Sequence, residues 1–169
     1  ETLDRSTRAI VQQVEAMKAM VNAFSEYARP APLQRVSTDL NQLINDTVEL
    51  FRSGQSQIEL RTEPDTRLER IQIDPNGFRQ VLNNLVINAQ DALAGSEGVV
   101  TIRTEEDSKT GTVTVTVQDN GPGFDPQSID RVFEPYVSAK DKGTGLGLAI
   151  CRRIIEEHGG SIRASNPQQ

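Results

Sequence analysis

The sequence predicts an α/β protein: a two-layer sandwich of a mixed, mostly antiparallel sheet with helices on one face, preceded by one long helix. Three observations carry this. Apolar residues recur at helical spacing in four segments, near 1–28, 40–51, 75–94 and 145–158. Between them lie short runs of period two, most strictly Val113, Val115 and Val117 with threonines between. Two of those runs are joined by Lys109-Thr110-Gly111, a hairpin connection that makes its strands antiparallel.

The first helix, residues 1–28, carries a seam. Leu3, Ile10, Val14, Met17, Val21, Phe24 and Ala28 are spaced by seven, then by four and three in turn. That spacing suits a coiled coil or bundle, and such a stripe needs a partner helix. The alternative is that it folds back on its own domain. Pro30 and Pro32 end the helix and force extended backbone before them, which marks 29–38 as linker. A short strand is expected at Leu33–Val36. Ser37, Thr38 or Asp39 can cap the next helix, with Leu40, Leu43, Ile44, Val48 and Leu50 or Phe51 inward. Ser53-Gly54-Gln55 reads as a turn. Strands follow around Ile58 and Leu60, then around Leu68, Ile71 and Ile73.

The best-defined helix is 75–94, capped by Asp74 with Pro75 in its first turn, where a missing N–H costs nothing. Its apolar face is Phe78, Val81, Leu82, Leu85, Val86, Ala89, Ala92 and Leu93, and Gly95 closes it. Strands around Val100–Ile102 and Val113–Val117 follow, then a glycine-rich region. The last helix, 145–158, ends at Gly159-Gly160, and Ser161–Ala164 is expected to start one more strand.

The chain has 169 residues, which suits one domain plus an appendage; 39–169 is the expected catalytic unit. A net charge of −6 argues against nucleic acid as a partner. The single cysteine, Cys151, excludes a disulfide framework and points to a reducing compartment. No apolar run approaches the ~18 residues of a membrane span. A start without Met, inside a helical pattern, is expected of a piece of something longer. Met17, Met20 and Cys151 read as packing residues.

Chemistry concentrates in three places. Asn84 and Asn88 lie four apart and share a helix face, with Asp91 three further on. Carboxamide oxygens suit Mg²⁺ held together with phosphate oxygens; the plain alternative is a solvated face. Asp119 ends a strand and enters Gly121-Pro122-Gly123, where its carboxylate can accept from a purine amine. The plain alternative is an Asx turn. Gly143-Thr144-Gly145-Leu146-Gly147-Leu148 leads into a helix whose N–H groups and dipole face an anion, with Lys140 and Lys142 supplying charge just before. The alternative there is a glycine hinge. Two glycine clusters flanking one loop suggest a clamp around something phosphorylated.

In combination these motifs are far more specific. The asparagine helix, Asp119-x-Gly121-x-Gly123, Phe133-Glu134-Pro135-Tyr136 and Gly143-Thr144-Gly145-Leu146-Gly147-Leu148 appear in order. Over about 33–166 the chain resembles the ATP-binding domain of sensor histidine kinases, in the superfamily of gyrase-type and chaperone ATPases with the Bergerat fold. Residues 1–28 resemble the second helix of the dimerisation and phosphotransfer hairpin. Phe24-Ser25-Glu26-Tyr27-Ala28-Arg29-Pro30 and Asp39-Leu40-Asn41 resemble the nitrogen-regulation type.

The resemblance implies ATP and Mg²⁺ as cofactors, with Asn88 the metal ligand and Asn84 holding phosphate and metal. It makes Asp119 the adenine-reading residue and Gly121 and Gly123 the first glycine box. Phe133 falls in the phenylalanine box, and Gly143, Gly145 and Gly147, with Thr144, Leu146 and Leu148, in the second glycine box. Asp91 and Lys142 line the nucleotide, Asn84 and Lys140 act on the transferred phosphoryl, and 124–142 form a lid. The implied partners are a histidine-bearing helix acting in cis or trans, a response-regulator receiver domain, and a second copy in a full-length homodimer. The implied location is cytoplasmic, in a longer protein anchored in the bacterial inner membrane.

Hydrolytic relatives carry a glutamate four residues before the metal asparagine; here that position is Asn84, and a carboxamide is no general base. This favours phosphoryl transfer over hydrolysis. A nucleotide-sensing or phosphatase-biased module and a hydrolytic ATPase are the alternatives. The lone His158, before Gly159-Gly160, reads as a structural residue at a helix end.

Overall fold

The computed structural model describes residues 32–52, 58–93, 97–137 and 144–166, together with ten positions between Thr7 and Ser25. Those ten positions are helical. Ile10, Val14, Met17, Val21 and Phe24 of the seam stay more than half exposed. Among the described residues, therefore, the seam is not buried against its own domain.

Strand β1 (Val36–Thr38) pairs antiparallel with β3 (Ile71–Ile73). Strand β2 (Ile58–Glu63) runs parallel to β4 (Gly98–Asp107), which pairs antiparallel with β5 (Thr112–Asp119). The strands form two sheets, an antiparallel β1–β3 pair and a mixed three-stranded sheet in the order β2–β4–β5, and α1 (Leu40–Arg52) and α2 (Pro75–Ala92) pack on them. The last helix, α3 (Gly147–Glu157), packs on α2.

The β1 strand lies later than expected. Gln34 spends its N–H on the Asp74 carboxylate at 3.0 Å, and Arg35 donates to the Glu157 carbonyl at 2.8 Å. A ladder rung begins only where a facing strand exists, at Val36 opposite Ile73. Residues 161–166 form no strand, because no hydrogen-bonded neighbour flanks them among the described residues. Leu68 lies outside β3 but packs against the core.

Helix α1 forms as its period predicts. Asp39 caps it, its Oδ1 accepting from the Gln42 N–H at 2.9 Å. Leu40, Leu43, Ile44 and Val48 are buried, and each such side chain contributes about 1.5–3 kcal/mol. Thr47 joins them by returning its hydroxyl to the Leu43 carbonyl at 2.8 Å, so no polar atom is stranded. Leu50 points outward at 68% exposure; Phe51 covers the core instead.

Helix α2 is the spine. Phe78, Leu82, Val86 and Ala89 face the sheet with Leu60, Val100 and Ile102. Val81 and Leu85 face α3, against Leu146, Ile150, Cys151 and Ile154. Ala92, expected inside, is exposed, and Leu93 takes the buried position at the helix end. The turn at Ser53 and the closing Gly95 lie outside the described residues.

Candidate functional site

The site is built on the face of α2 that its two apolar contacts leave over. Asp74 starts the helix, accepting from the N–H groups of Asn76 at 2.9 Å and Gly77 at 3.2 Å. Its carboxyl is held below the usual range by the Gln34 N–H first, then by those of Gly77 and Asn76. Three turns on, Asn84 and Asn88 lie half-buried one turn apart, and Asp91 is exposed near the end.

Asn84 faces the start of α3. Its Nδ2 donates to the Gly147 carbonyl at 3.3 Å. An amide has one donor end and one acceptor end, so this bond points the donor end at α3 and leaves Oδ1 for another partner. Nothing caps the N–H groups that open α3 from a side chain. Thr144 comes nearest, its hydroxyl accepting from the Leu146 N–H at 3.3 Å. An uncapped helix start beside a carboxamide oxygen offers both N–H donors for phosphate and a hard ligand for a cation.

Below this lies Cys151, fully buried, its thiol donating to the Val81 carbonyl at 3.8 Å. Burial pushes that thiol up to about 12, partly offset by the Asn84 amide. It is a packing residue, as expected.

Ahead of α3, two left-handed residues form a clasp. Tyr136 and Gly145 both have φ of 65°, and the Tyr136 N–H donates to the Gly145 carbonyl at 2.9 Å. A Cβ on Gly145 would stand 2.6 Å from the Tyr136 carbonyl carbon. The glycine is therefore fixed twice, by conformation and by contact. Half-buried Phe133 and buried Val132 lead into the clasp. Lys140, Lys142 and Gly143 lie outside the described residues.

At the far end, Asp119 closes β5. Its Oδ1 accepts from the Gly121 N–H at 2.8 Å, which is the Asx turn. Its other oxygen has no hydrogen bond among the described residues, so the turn and the purine-reading role are compatible. Gly121 lies against the end of α2, where an added Cβ would come within 3.6 Å of Ala92 and 3.5 Å of Leu93. Asn120 extends the β4 ladder, its Oδ1 accepting from the Val99 N–H at 2.8 Å. Thus α2 is a common wall, with Gly147 against Asn84 at one place and Gly121 against its last turn at another. Gly123 instead meets Asn166, a residue that the motifs do not mark.

His158 is engaged at both nitrogens. Nε2 accepts from the Asp74 N–H at 2.9 Å, and Nδ1 donates to the Ile154 carbonyl at 2.7 Å. It ties the end of α3 to the start of α2, the structural role expected of it.

The fold matches those of known proteins. Residues 73–169 match the histidine kinase-, DNA gyrase B- and HSP90-like ATPase family. The sensor histidine kinase ZraS of Salmonella typhi is 37% identical over 94% of this chain and 34% of its own length. The nitrogen regulation protein NtrY of Azorhizobium caulinodans is 34% identical over 98% of this chain and 22% of its own. The chain thus spans about a third or less of the curated relatives it matches. The nucleotide-free catalytic domain of histidine kinase ThkA superposes with a TM-score of 0.71 at 35% identity, covering 79% of this chain and 88% of that one. ThkA crystallised with the response regulator TrrA covers 99% of this chain and 48% of its own, with a TM-score of 0.80 at 30% identity. The chain belongs to the histidine kinase-, DNA gyrase B- and HSP90-like ATPase family, as the ATP-binding catalytic domain of a sensor histidine kinase.

Proposed function

We propose that this domain holds Mg-ATP and passes its γ-phosphoryl to a histidine supplied from outside these 169 residues, for relay to a receiver-domain aspartate. The observation that carries this is the Asn84 bond to the Gly147 carbonyl. It fills the position of the hydrolytic base with a group that cannot take a proton from water and that is already engaged as a donor. With no base for water, ATP is held until another nucleophile arrives, and phosphoryl transfer then needs positioning and charge stabilisation. His158 is no acceptor in this reading, since phosphorylation at either nitrogen would break the tie between α2 and α3.

The residues divide the work. Asp119 reads the adenine amine beside Gly121 and Gly123. Gly145, Gly147 and the N–H groups around Leu146 and Leu148 receive the phosphates, with Thr144, Lys140, Lys142 and Gly143 alongside. Phe133 lies within the lid, and Asp91 closes the far end of the α2 wall. Asn88 and the oxygen of Asn84 fit a Mg²⁺ ion. Among the described residues no cluster of three His, Cys, Asp or Glu stands ready for a metal. The ion would therefore arrive with the nucleotide, the usual habit of Mg²⁺. When bound, it neutralises charge on the phosphate oxygens.

ZraS and NtrY are named as a sensor kinase and a nitrogen regulation protein, and ThkA is seen with a response regulator. We extend this to a receiver-domain partner and to a full-length homodimer built on the 1–28 seam. Residues 29–38 then form the linker and the short strand β1, which pairs into the catalytic unit 39–169, cytoplasmic in a protein anchored in the inner membrane. No helix among the described residues is long and apolar enough to cross a membrane.

The test is to mix this chain with γ-labelled ATP, Mg²⁺ and the protein's own histidine-bearing hairpin, expressed separately. Label should pass to the hairpin histidine while free phosphate accumulates slowly. Steady phosphate release with no label on the hairpin would sink the proposal.

A further inference from the structure

We propose that Asn166 is a positioning residue for the adenine end of the site, its carboxamide standing in for a neighbouring strand. Its Oδ1 accepts from the Phe124 N–H at 2.7 Å, and its Nδ2 donates to the Phe124 carbonyl at 2.8 Å. A carboxamide places acceptor and donor side by side, as the peptide of an adjoining strand does, so one side chain supplies a full ladder rung. The rung sits where it is needed. Strand β5 ends at Asp119, and the chain then turns through Gly121 and Gly123. Other hydrogen bonds of residues 121–127 among the described residues are local, running to Asp119, Ser128 or Ile129 or staying within the segment. The two bonds to Asn166 are the ones that span the fold.

Asn166 in this place requires glycine at 123. Gly123 has φ of 76°, and a Cβ there would stand 2.7 Å from the Asn166 Oδ1. The second glycine of the first box therefore admits the amide as well as making the turn. Asn166 is itself held. Burial alternates along 161–166, and Ile162 packs against the α2–α3 cluster, which anchors the segment that carries Asn166. The clamp joins the adenine loop to the segment that follows the phosphate-side helix.

This rests on the reading of Asp119 as the adenine residue, and the test separates the two. In the full chain, Phe124 amide exchange without nucleotide, and ATP and GTP affinities, are compared for the unmodified protein, Asn166→Ala, Asn166→Asp and Asp119→Asn. Asn166→Ala should speed Phe124 exchange and lower the ATP-over-GTP preference, each by roughly tenfold, the worth of one to two hydrogen bonds. Asn166→Asp keeps the acceptor for the Phe124 N–H but sets an oxygen against the Phe124 carbonyl, so it should speed Phe124 exchange as well. Unchanged Phe124 exchange in Asn166→Ala, or an unchanged ATP-to-GTP ratio where Asp119→Asn does alter it, overturns the proposal. An unaltered ratio in Asp119→Asn defeats the adenine reading instead, and the clamp then stands or falls on Phe124 exchange.

Discussion

Gly147 and Gly145 are neighbours in one motif, yet the protein asks different things of them. At Gly147 there is room for a methyl group: an added Cβ would meet Asn84 at 3.8 Å, an ordinary contact. Nothing in the fold forbids alanine there, and alanine is the better helix former, by up to roughly 1 kcal/mol in a helix interior and less in the first turn. The absence of a side chain at 147 then belongs to the ligand. Gly147→Ala should keep or raise the melting temperature and still weaken ATP binding; a variant that binds ATP as well as the parent would contradict this. Asn84 shows the complementary case. Asn84→Asp would set a carboxylate against the Gly147 carbonyl, acceptor against acceptor, and should cost about 1–3 kcal/mol in urea unfolding. The side-chain types at 84, 88, 119 and 147 were legible in the sequence because their spacing is local. Asn166 was not, since nothing near it in the chain announces that it meets Phe124, 42 positions away.

Helices α1 and α2 were legible nearly to the residue, because a 3.6-residue period and a capping aspartate are both written locally. Strands were less so. A strand is defined by its neighbour, so β1 begins where Ile73 faces it and not where apolar residues begin. The expected strand at 161–164 lacks such a neighbour among the described residues. The clasp ahead of α3 was also invisible, because a tyrosine at φ 65° has no sequence signature. It gives a comparison between two glycines with the same φ to within a degree. Gly111, at φ 66° in the β4–β5 turn, has nothing within 4 Å of an added Cβ. Gly111→Ala should cost only the conformational strain, about 1–2 kcal/mol. Gly145→Ala adds a collision with backbone and should cost visibly more, with ATP affinity falling alongside. Equal melting temperatures for the two variants would argue against the clasp.

Across the whole molecule, three aspartates respond alike to acid. Asp65 is held below the usual range by the Arg67 side chain and then its N–H, Asp74 by Gln34, Gly77 and Asn76, and Asp107 by the Lys109 N–H and Thr110 hydroxyl. Each is depressed in the folded chain, so the unfolded chain binds protons first. Their contribution is complete above the unfolded carboxyl value of about 3.9 and is lost as pH falls through the folded values. Urea midpoints should therefore hold steady from pH 7 to about pH 5 on account of these groups and drop below pH 4. A midpoint that rose between pH 4 and pH 3 would reverse the sign. Ligand linkage acts on the same global stability. Mg-ATP at about a hundred times its Kd should add about 2.7 kcal/mol, a rise of several degrees in Tm, and the rise should shrink with EDTA. No shift with Mg-ATP would count against binding.

The Tyr136–Gly145 clasp also separates two quantities that a loop normally couples, its span and its length. With Tyr136 and Gly145 pinned to each other, the distance between these two residues is set by the clasp, whatever number of residues the sequence places between them. Closure entropy grows only logarithmically, about 0.6 kcal/mol for each doubling. Inserting a few Gly-Ser pairs there should leave the Tm nearly unmoved while altering nucleotide on- and off-rates. Evolution can in that case retune how long a nucleotide stays by changing the length of sequence between two pinned residues, without renegotiating the walls that flank it.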